Sequence, residues 1–504
     1  MKQHSFLTAL CLLFAAVPIT GQTIKSSMEF APSEHWVKPV EKPYREEICL
    51  NGTWAFAPVQ LPVGFKEGET PAPALPGVNE VTFSKTPIRI PSPWNVNSFA
   101  DKNGLGGDHR TYPSYPKEWE SIKMGWLQKK FTVPASWKGK RIQIHFEAVA
   151  GKTDIYVNGK AVGDNFDIFM PFDIDITDAV KFGQENTLNV GIQKSSLFDD
   201  RKSPLGRRTY QGGSFWGQHI AGIWQDVYLV ALPQTRVADV YIQPIVNKNT
   251  LEVEVTLRND ENKPVEVNIS AAAYPWISKA GKTVLTAANP SSQLGSQAAL
   301  QMPTQKVTIP AGKEIKTTLK TTVDNKLKLW SPSSPNLYGL VVKTSVNGKT
   351  NDSKYTRFGW RQTELKDGKF WLNGKPFVLK GDSWHYMGIP QMTRRYPWAW
   401  YTALRDANCN AVRLHAQPFP SFYLDVADEM GILVLDESAM WASDGGQKLG
   451  SEEFWKCSEE HMKQLVLRDR NHPSVFGWSV SNEIMPIIRG VMRNAPGLED
   501  NLVK

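Results

Sequence analysis

Ala411-Val412-Arg413-Leu414-His415, then Gly431-Ile432-Leu433-Val434-Leu435-Asp436-Glu437, then Val475-Phe476-Gly477-Trp478-Ser479-Val480-Ser481-Asn482-Glu483 are three short apolar runs that each end in polar groups. A fourth, Phe377-Val378-Leu379-Lys380, precedes them and leads into Asp382-Ser383-Trp384-His385. Between the runs lie stretches of helical period at 398–407, 422–430 and 452–470. Runs this short, bounded by turn signals, read as strands, and strands alternating with helices predict βα units on a parallel sheet. In a (β/α)8 barrel the carboxyl ends of the strands build the active site, so four polar clusters in phase predict one shared, carboxylate-rich pocket.

Upstream the pattern differs. From Glu46 to about Ala231 strand signals and turn residues dominate, with no long helical period, which predicts an all-β sandwich of jelly-roll type. Arg141-Ile142-Gln143-Ile144-His145-Phe146 alternates cleanly, and Asn158-Gly159 between Asp154-Ile155-Tyr156-Val157 and Lys160-Ala161-Val162 predicts a tight hairpin. After Pro233, Leu251-Glu252-Val253-Glu254-Val255-Thr256-Leu257 and Val265-Glu266-Val267-Asn268-Ile269 alternate likewise, and the length of this region suits one immunoglobulin-like sandwich. The expected divisions are 1–21, 22–233, 234–355 and 356–504, the last being the amino-terminal part of a TIM barrel.

Bulk composition narrows the function classes. Hydrophobic residues make up 41% and charged residues 21%, as in water-soluble globular proteins, and no apolar stretch after the first residues is long enough to span a bilayer. Met1-Lys2-Gln3-His4, a mostly apolar run from Phe6 to Val17, then Pro18, Thr20 and Gly21 read as a secretory signal peptide, so a periplasmic or extracellular location is expected. The formal charge of +8 comes from scattered Lys and Arg rather than from a basic run, which argues against a nucleic-acid partner. Beyond the leader, Cys49, Cys409 and Cys457 have neither disulfide-framework nor zinc spacing and read as packing residues.

These pieces together resemble glycoside hydrolase family 2, which includes β-galactosidases, β-glucuronidases and β-mannosidases. Leu50-Asn51-Gly52-Thr53-Trp54, Gly125-Trp126 and Asp154-Ile155-Tyr156-Val157-Asn158-Gly159 are similar to its sugar-binding domain, and Gly222-Ile223-Trp224-Gln225-Asp226-Val227-Tyr228-Leu229 to that domain's exit strand. Leu329-Trp330-Ser331-Pro332 through Pro335-Asn336-Leu337-Tyr338 looks like the end of its immunoglobulin-like domain. Phe370-Trp371-Leu372-Asn373-Gly374-Lys375-Pro376, Asn410-Ala411-Val412-Arg413, and Arg468-Asp469-Arg470-Asn471-His472-Pro473-Ser474 followed by Asn482-Glu483 resemble its barrel motifs.

The resemblance implies that Glu483 is the general acid/base and that Asn482 binds the sugar's 2-hydroxyl. A retaining enzyme needs such a protonated carboxyl, with a second carboxylate about 5–5.5 Å away as nucleophile. Burial of Glu483 among Trp384, Trp478 and the first-strand cluster would raise its pKa. Asp382, Trp384, His385, His415, Arg413 and Glu437 are the further substrate-site candidates. The histidines contact sugar or are satisfied by backbone, with a bridging metal the weaker option. Arg413 orients carboxylates or makes a surface ion pair. Trp384, Trp398, Trp400 and Trp441 stack on sugar or pack in cores.

Two departures from the family pattern bear on substrate. Asp436-Glu437-Ser438-Ala439-Met440-Trp441-Ala442-Ser443 lacks the Glu and His that hold magnesium in related β-galactosidases, so no metal or other cofactor is expected. Leu414-His415-Ala416-Gln417-Pro418 replaces the family's Ser-His-Tyr-Pro.

A barrel takes about 250 residues, and about 140 follow Leu365, so roughly four of eight strands are expected. The family's nucleophile sits at the end of a seventh strand and is expected beyond Lys504. Asp382 and Glu437 belong to other motifs and are poor substitutes. The expected function is a retaining exo-glycosidase, β-galactosidase-like, inactive as a truncated chain; the alternative is a non-catalytic carbohydrate-binding protein. Exposed strand edges would call for a second chain that completes the barrel, or for a homo-oligomer.

Overall fold

The computed structural model describes residues 36–68, 71–95, 115–203, 206–278, 292–386, 388, 391–441 and 446–484. The leader expected at 1–21 lies outside them.

The first unit is a jelly-roll sandwich. One sheet runs in the order Glu46–Cys49, Val227–Leu232, Arg141–Phe146, Phe172–Asp175. The other runs Ile88–Ile90, Gly52–Val59, Met124–Thr132, Glu185–Gln193, Lys152–Val157, Lys160–Asn165. Alternation along each strand sends Trp54, Phe56, Leu127, Ile142, Ile144, Ile155 and Leu188 into one core. Phe56 stacks on Trp94 at 5.0 Å and meets Trp119 edge-on at 4.6 Å. The hairpin closes with Val157 opposite Lys160 and with Asn158 and Gly159 both left-handed (φ 52° and 82°), the turn that Asn-Gly favours.

An immunoglobulin-like sandwich follows. Thr235–Ile245, Thr250–Asn259 and Glu314–Thr322 form one sheet, and Val265–Ser278, Tyr338–Val346 and Lys349–Phe358 are the spine of the other. Its core is mostly aliphatic, built from Val253, Val255, Leu257, Val267, Ile269 and Leu340 among others, with Tyr338, Phe358 and Trp360 at its side.

The third unit is a partial TIM barrel. Among the described residues its parallel strands are Gly381–His385, Ala411–His415, Leu433–Glu437 and Val475–Ser479, paired in sequence order. The helices are Arg395–Asp406, Phe422–Met430 and Glu452–Asp469. Ser451 caps the last of these, its side chain accepting from the Phe454 N–H, with Glu452 and Glu453 in the first turn and Arg468 in the last. Gly431 ends the middle one in a left-handed conformation (φ 71°), where a Cβ would meet the Pro332 carbonyl oxygen at 2.3 Å.

The first strand departs from expectation. It runs over Gly381–His385, not 377–380. The Phe377 N–H donates to Phe370 in the preceding hairpin, and the Asn410 side chain serves the next residues, accepting from the Lys380 N–H at 2.9 Å and donating to the Val378 carbonyl at 3.0 Å. A side chain thus takes the bonds a neighbouring strand would have made. Cys49 also departs, lying exposed on an edge strand, whereas Cys409 packs partly buried against the core.

The three units are fastened by buried polar contacts. Arg45, ahead of the first sandwich's opening strand, holds Asp352 of the second through Nε at 2.9 Å and Nη2 at 2.7 Å, both residues inaccessible. Arg357 reaches from the second sandwich to Asp425, Asp428 and Glu429 on a barrel helix. First sandwich and barrel share one apolar core, in which Tyr386 lies 5.9 Å from Trp224.

Candidate active site

Period-two alternation decides which strand residues share a face. In register, His385 pairs His415, Ser383 pairs Arg413, and Arg413 pairs Leu435, which puts His385, Arg413, His415 and Glu437 on the inner face. Asp382 pairs Val412 and Trp384 pairs Leu414, and both partners are buried in the helix-side core.

Asp382 and Trp384 therefore belong to the outer face, not to the pocket. Trp384 has its ring 6.4 Å from Trp400 of the first helix. Both sequence-based assignments are corrected, because the strand begins at Gly381 and its odd-numbered residues point inward. Trp478 sits beside Asp436 on the outer face as well.

On the inner face Arg413 organises the polar groups. Its Nε and Nη2 donate to the two oxygens of Glu437 at 2.8 and 2.9 Å, and Nη2 also donates to Asn482 Oδ1 at 2.6 Å. Glu437 is fully buried, and burial raises its pKa against the opposing pull of Arg413 and Ser479. His385 and His415 lie with ring centroids 4.1 Å apart. Burial, His385 and Arg413 together press His415 down to about 4, so its imidazole is neutral near pH 7. Burial and Arg413 lower His385 too, while the Glu483 carboxylate opposes them, which places Glu483 within electrostatic reach of this pair.

Glu483 follows the fourth strand. It is exposed rather than buried among Trp384 and Trp478, since both indoles lie on the outer face and four strands enclose only part of a pocket. Its backbone is left-handed (φ 52°), a conformation that costs a non-glycine residue about 1 kcal/mol or more and is over-represented at functional sites. Asn482 is anchored by its N–H to the Met440 carbonyl at 2.9 Å. Among the described residues its Nδ2 and the Nδ1 of His415 are buried without a hydrogen bond of their own, although the Asn482 and His415 side chains lie close enough to interact.

Asp436 is no part of this face. Wholly buried, it meets Asp469 and Arg468 beneath the helix, and burial together with Asp469 raises its pKa far above the carboxylate range. Among the described residues Asp425, Asp428 and His472 bring ligand-type atoms within 4.8 Å of one another, but the Arg357 guanidinium already bonds both aspartates. A fixed cation therefore holds the place a metal would take.

The run Arg468-Asp469-Arg470-Asn471-His472 is scaffold. Arg470 pairs with Asp239, Asn471 exchanges hydrogen bonds with Ile242 and Val240 of the second sandwich, and His472 bonds Asp428 at 2.7 Å. Sequence reading missed Asp167, Gly213 and His461, which brace the loop after the third strand; no local motif marks them.

Comparison with known proteins agrees with this architecture. Residues 48–233 match the glycosyl hydrolases family 2 sugar binding domain, 235–361 the family 2 model itself, and 363–494 its TIM barrel domain. The chain is 30% identical over 387 residues to a β-galactosidase of Thermoanaerobacter pseudethanolicus, covering 74% of this chain and 46% of that protein. A β-glucuronidase of Formosa agariphila is 27% identical over 431 residues, covering 80% and 39%. The chain thus spans less than half the length of these curated relatives. Among solved structures, Bacteroides uniformis β-glucuronidase 2, covalently bound to cyclophellitol-6-carboxylate aziridine, superposes with a TM-score of 0.65 at 20% identity, covering 91% of this chain and 51% of that one. With all three of its units matched in order, this chain belongs to the glycosyl hydrolases family 2.

Proposed function

We propose that this protein acts as an exo-acting, retaining glycoside hydrolase on β-linked glycans, with Glu483 as general acid/base. The observation that carries this reading is the inner face itself: Arg413 holds Glu437 and Asn482 together beside Glu483, while Asn482 Nδ2 and His415 Nδ1 keep unused hydrogen-bonding capacity. Two buried polar atoms without hydrogen bonds are costly unless a ligand satisfies them, and a sugar hydroxyl both donates and accepts.

In the first step Glu483 gives its proton to the glycosidic oxygen as that bond breaks and a second carboxylate bonds the anomeric carbon. In the second, the Glu483 carboxylate takes a proton from water, whose oxygen replaces the enzyme at that carbon. Neither nearby described carboxylate suits the nucleophile's role. Glu437 is buried with both oxygens bonded to Arg413, and Asp436 faces the helices. The nucleophile is proposed to come from a strand outside the described residues.

Relatives include both β-galactosidases and β-glucuronidases. The apolar run Phe6 to Val17, read as a leader, supports action outside the cytoplasm. A non-catalytic glycan-binding role is favoured only by the first sandwich's match to a sugar binding domain. Release of 4-nitrophenol from 4-nitrophenyl β-galactoside, compared with the β-glucuronide, separates these readings, because a binding protein gives no turnover on either.

A further inference from the structure

Asp167 follows the last strand of the first sandwich's larger sheet. Its Oδ1 accepts from the N–H groups of Phe169 at 2.8 Å and Met170 at 3.0 Å, and its Oδ2 lies 2.7 Å from His461 Nδ1. His461 is buried on the barrel helix Glu452–Asp469, and its Nε2 accepts the Ala439 N–H at 3.1 Å. A backbone N–H can only donate, so Nε2 carries no proton, and the imidazole's hydrogen sits on Nδ1 and points at Asp167.

The other end of Ala439 is held too. Its carbonyl accepts the Gly213 N–H at 2.9 Å, from a first-sandwich segment where Gly213 is left-handed and a Cβ would come within 2.6 Å of the Phe169 ring. The first sandwich therefore grips Ala439 at both polar ends, once directly and once through His461. One residue on, the Met440 carbonyl accepts the Asn482 N–H, and Ser438 Oγ donates to the Val480 carbonyl, so this turn and the segment that carries Glu483 move together.

We infer that Asp167 and His461 are positioning residues, a relay by which the first sandwich sets the place of Asn482 and Glu483. Its kinetic consequence rests on the reading of Glu483 as acid/base; the relay does not. Such a link explains why a sugar-binding-type domain should be fused to a barrel whose own strands supply the polar face.

Asp167→Asn tests it with a change of one atom. The two backbone donors keep the amide oxygen where Oδ1 was, so an N–H replaces Oδ2 opposite His461. The imidazole proton must then move to Nε2, where it opposes the Ala439 N–H. In the full chain, 15N-histidine NMR should show His461 protonated at Nδ1, and at Nε2 in the variant. Hydrogen exchange at the Ala439 and Asn482 amides should quicken about fivefold, the loss of roughly one hydrogen bond, with Val253 of the second sandwich unchanged. His461→Leu should do the same, while His461→Gln, whose Oε1 can still accept from Ala439, should largely restore protection. Where turnover is measured, Asp167→Asn should lower kcat with little change in KM. A wild-type His461 bare at Nδ1, or Asn482 protection unmoved by both Asp167→Asn and His461→Leu, overturns the relay. If the exchange results hold and the wild type turns over no glycoside, the relay stands and the glycosidase reading falls.

Discussion

Arg413 grips Glu437 through both carboxylate oxygens at 2.8 and 2.9 Å, and the same guanidinium reaches Asn482 at 2.6 Å. A planar fork is needed for this, and Lys cannot reproduce it. Arg413→Met leaves a buried carboxylate unpaired and should cost about 2–3 kcal/mol, less than for a fully buried pair because Arg413 is itself 33% exposed. Urea unfolding of the barrel checks this; a loss below about 0.5 kcal/mol would mean that the pair is not maintained in solution.

Arg45 and Asp352 join the two sandwiches out of contact with solvent. Removing the cation leaves the carboxylate, among the described residues, one hydrogen bond from the Val237 N–H and the longer-range pull of Lys354. Arg45→Met should therefore destabilise the second sandwich by about 3–5 kcal/mol in denaturant unfolding, whereas replacing both partners by apolar residues of similar size should recover much of the loss.

Two histidines set opposite pH limits. Burial alone would lower the pKa of His145, but Asp173 and Glu147 outweigh it and push it up to about 10. A base raised in the folded state stabilises fully below its unfolded pKa near 6.5, and that contribution fades as pH rises toward 10. His415, lowered to about 4, does the reverse: its contribution is complete above about 6.5 and is lost as pH falls toward 4. Thermal unfolding of His145→Gln should be flatter than wild type between pH 6.5 and 10, and that of His415→Gln flatter between 4 and 6.5. Parallel wild-type and variant curves in either window would contradict that assignment.

Much of this was legible in the sequence. Asn158-Gly159 and the alternating strands are local signals whose physics does not depend on the rest of the chain, and each sits where the pattern placed it. The first barrel strand was misplaced because Asn410, thirty residues away, satisfies the backbone of the apolar run that resembled it. With 382–385 taken as a loop after the strand, all four residues were expected in the pocket, whereas inside a strand alternation sends Asp382 and Trp384 to the face opposite Ser383 and His385. The Asp167–His461 pair was invisible for a related reason, since 294 residues separate its members and neither belongs to a motif.

Hydrolysis of 4-nitrophenyl β-galactoside by the gene product as its cell makes it, with Glu483 and with Glu483→Gln, tests the central claim most directly. General acid/base catalysis contributes about 10²- to 10⁴-fold, and kcat, which includes the water attack that Glu483 assists, should fall by that amount in the variant while the fold stays intact. Equal rates with Glu and Gln at position 483 would remove Glu483 from the chemistry and contradict the account.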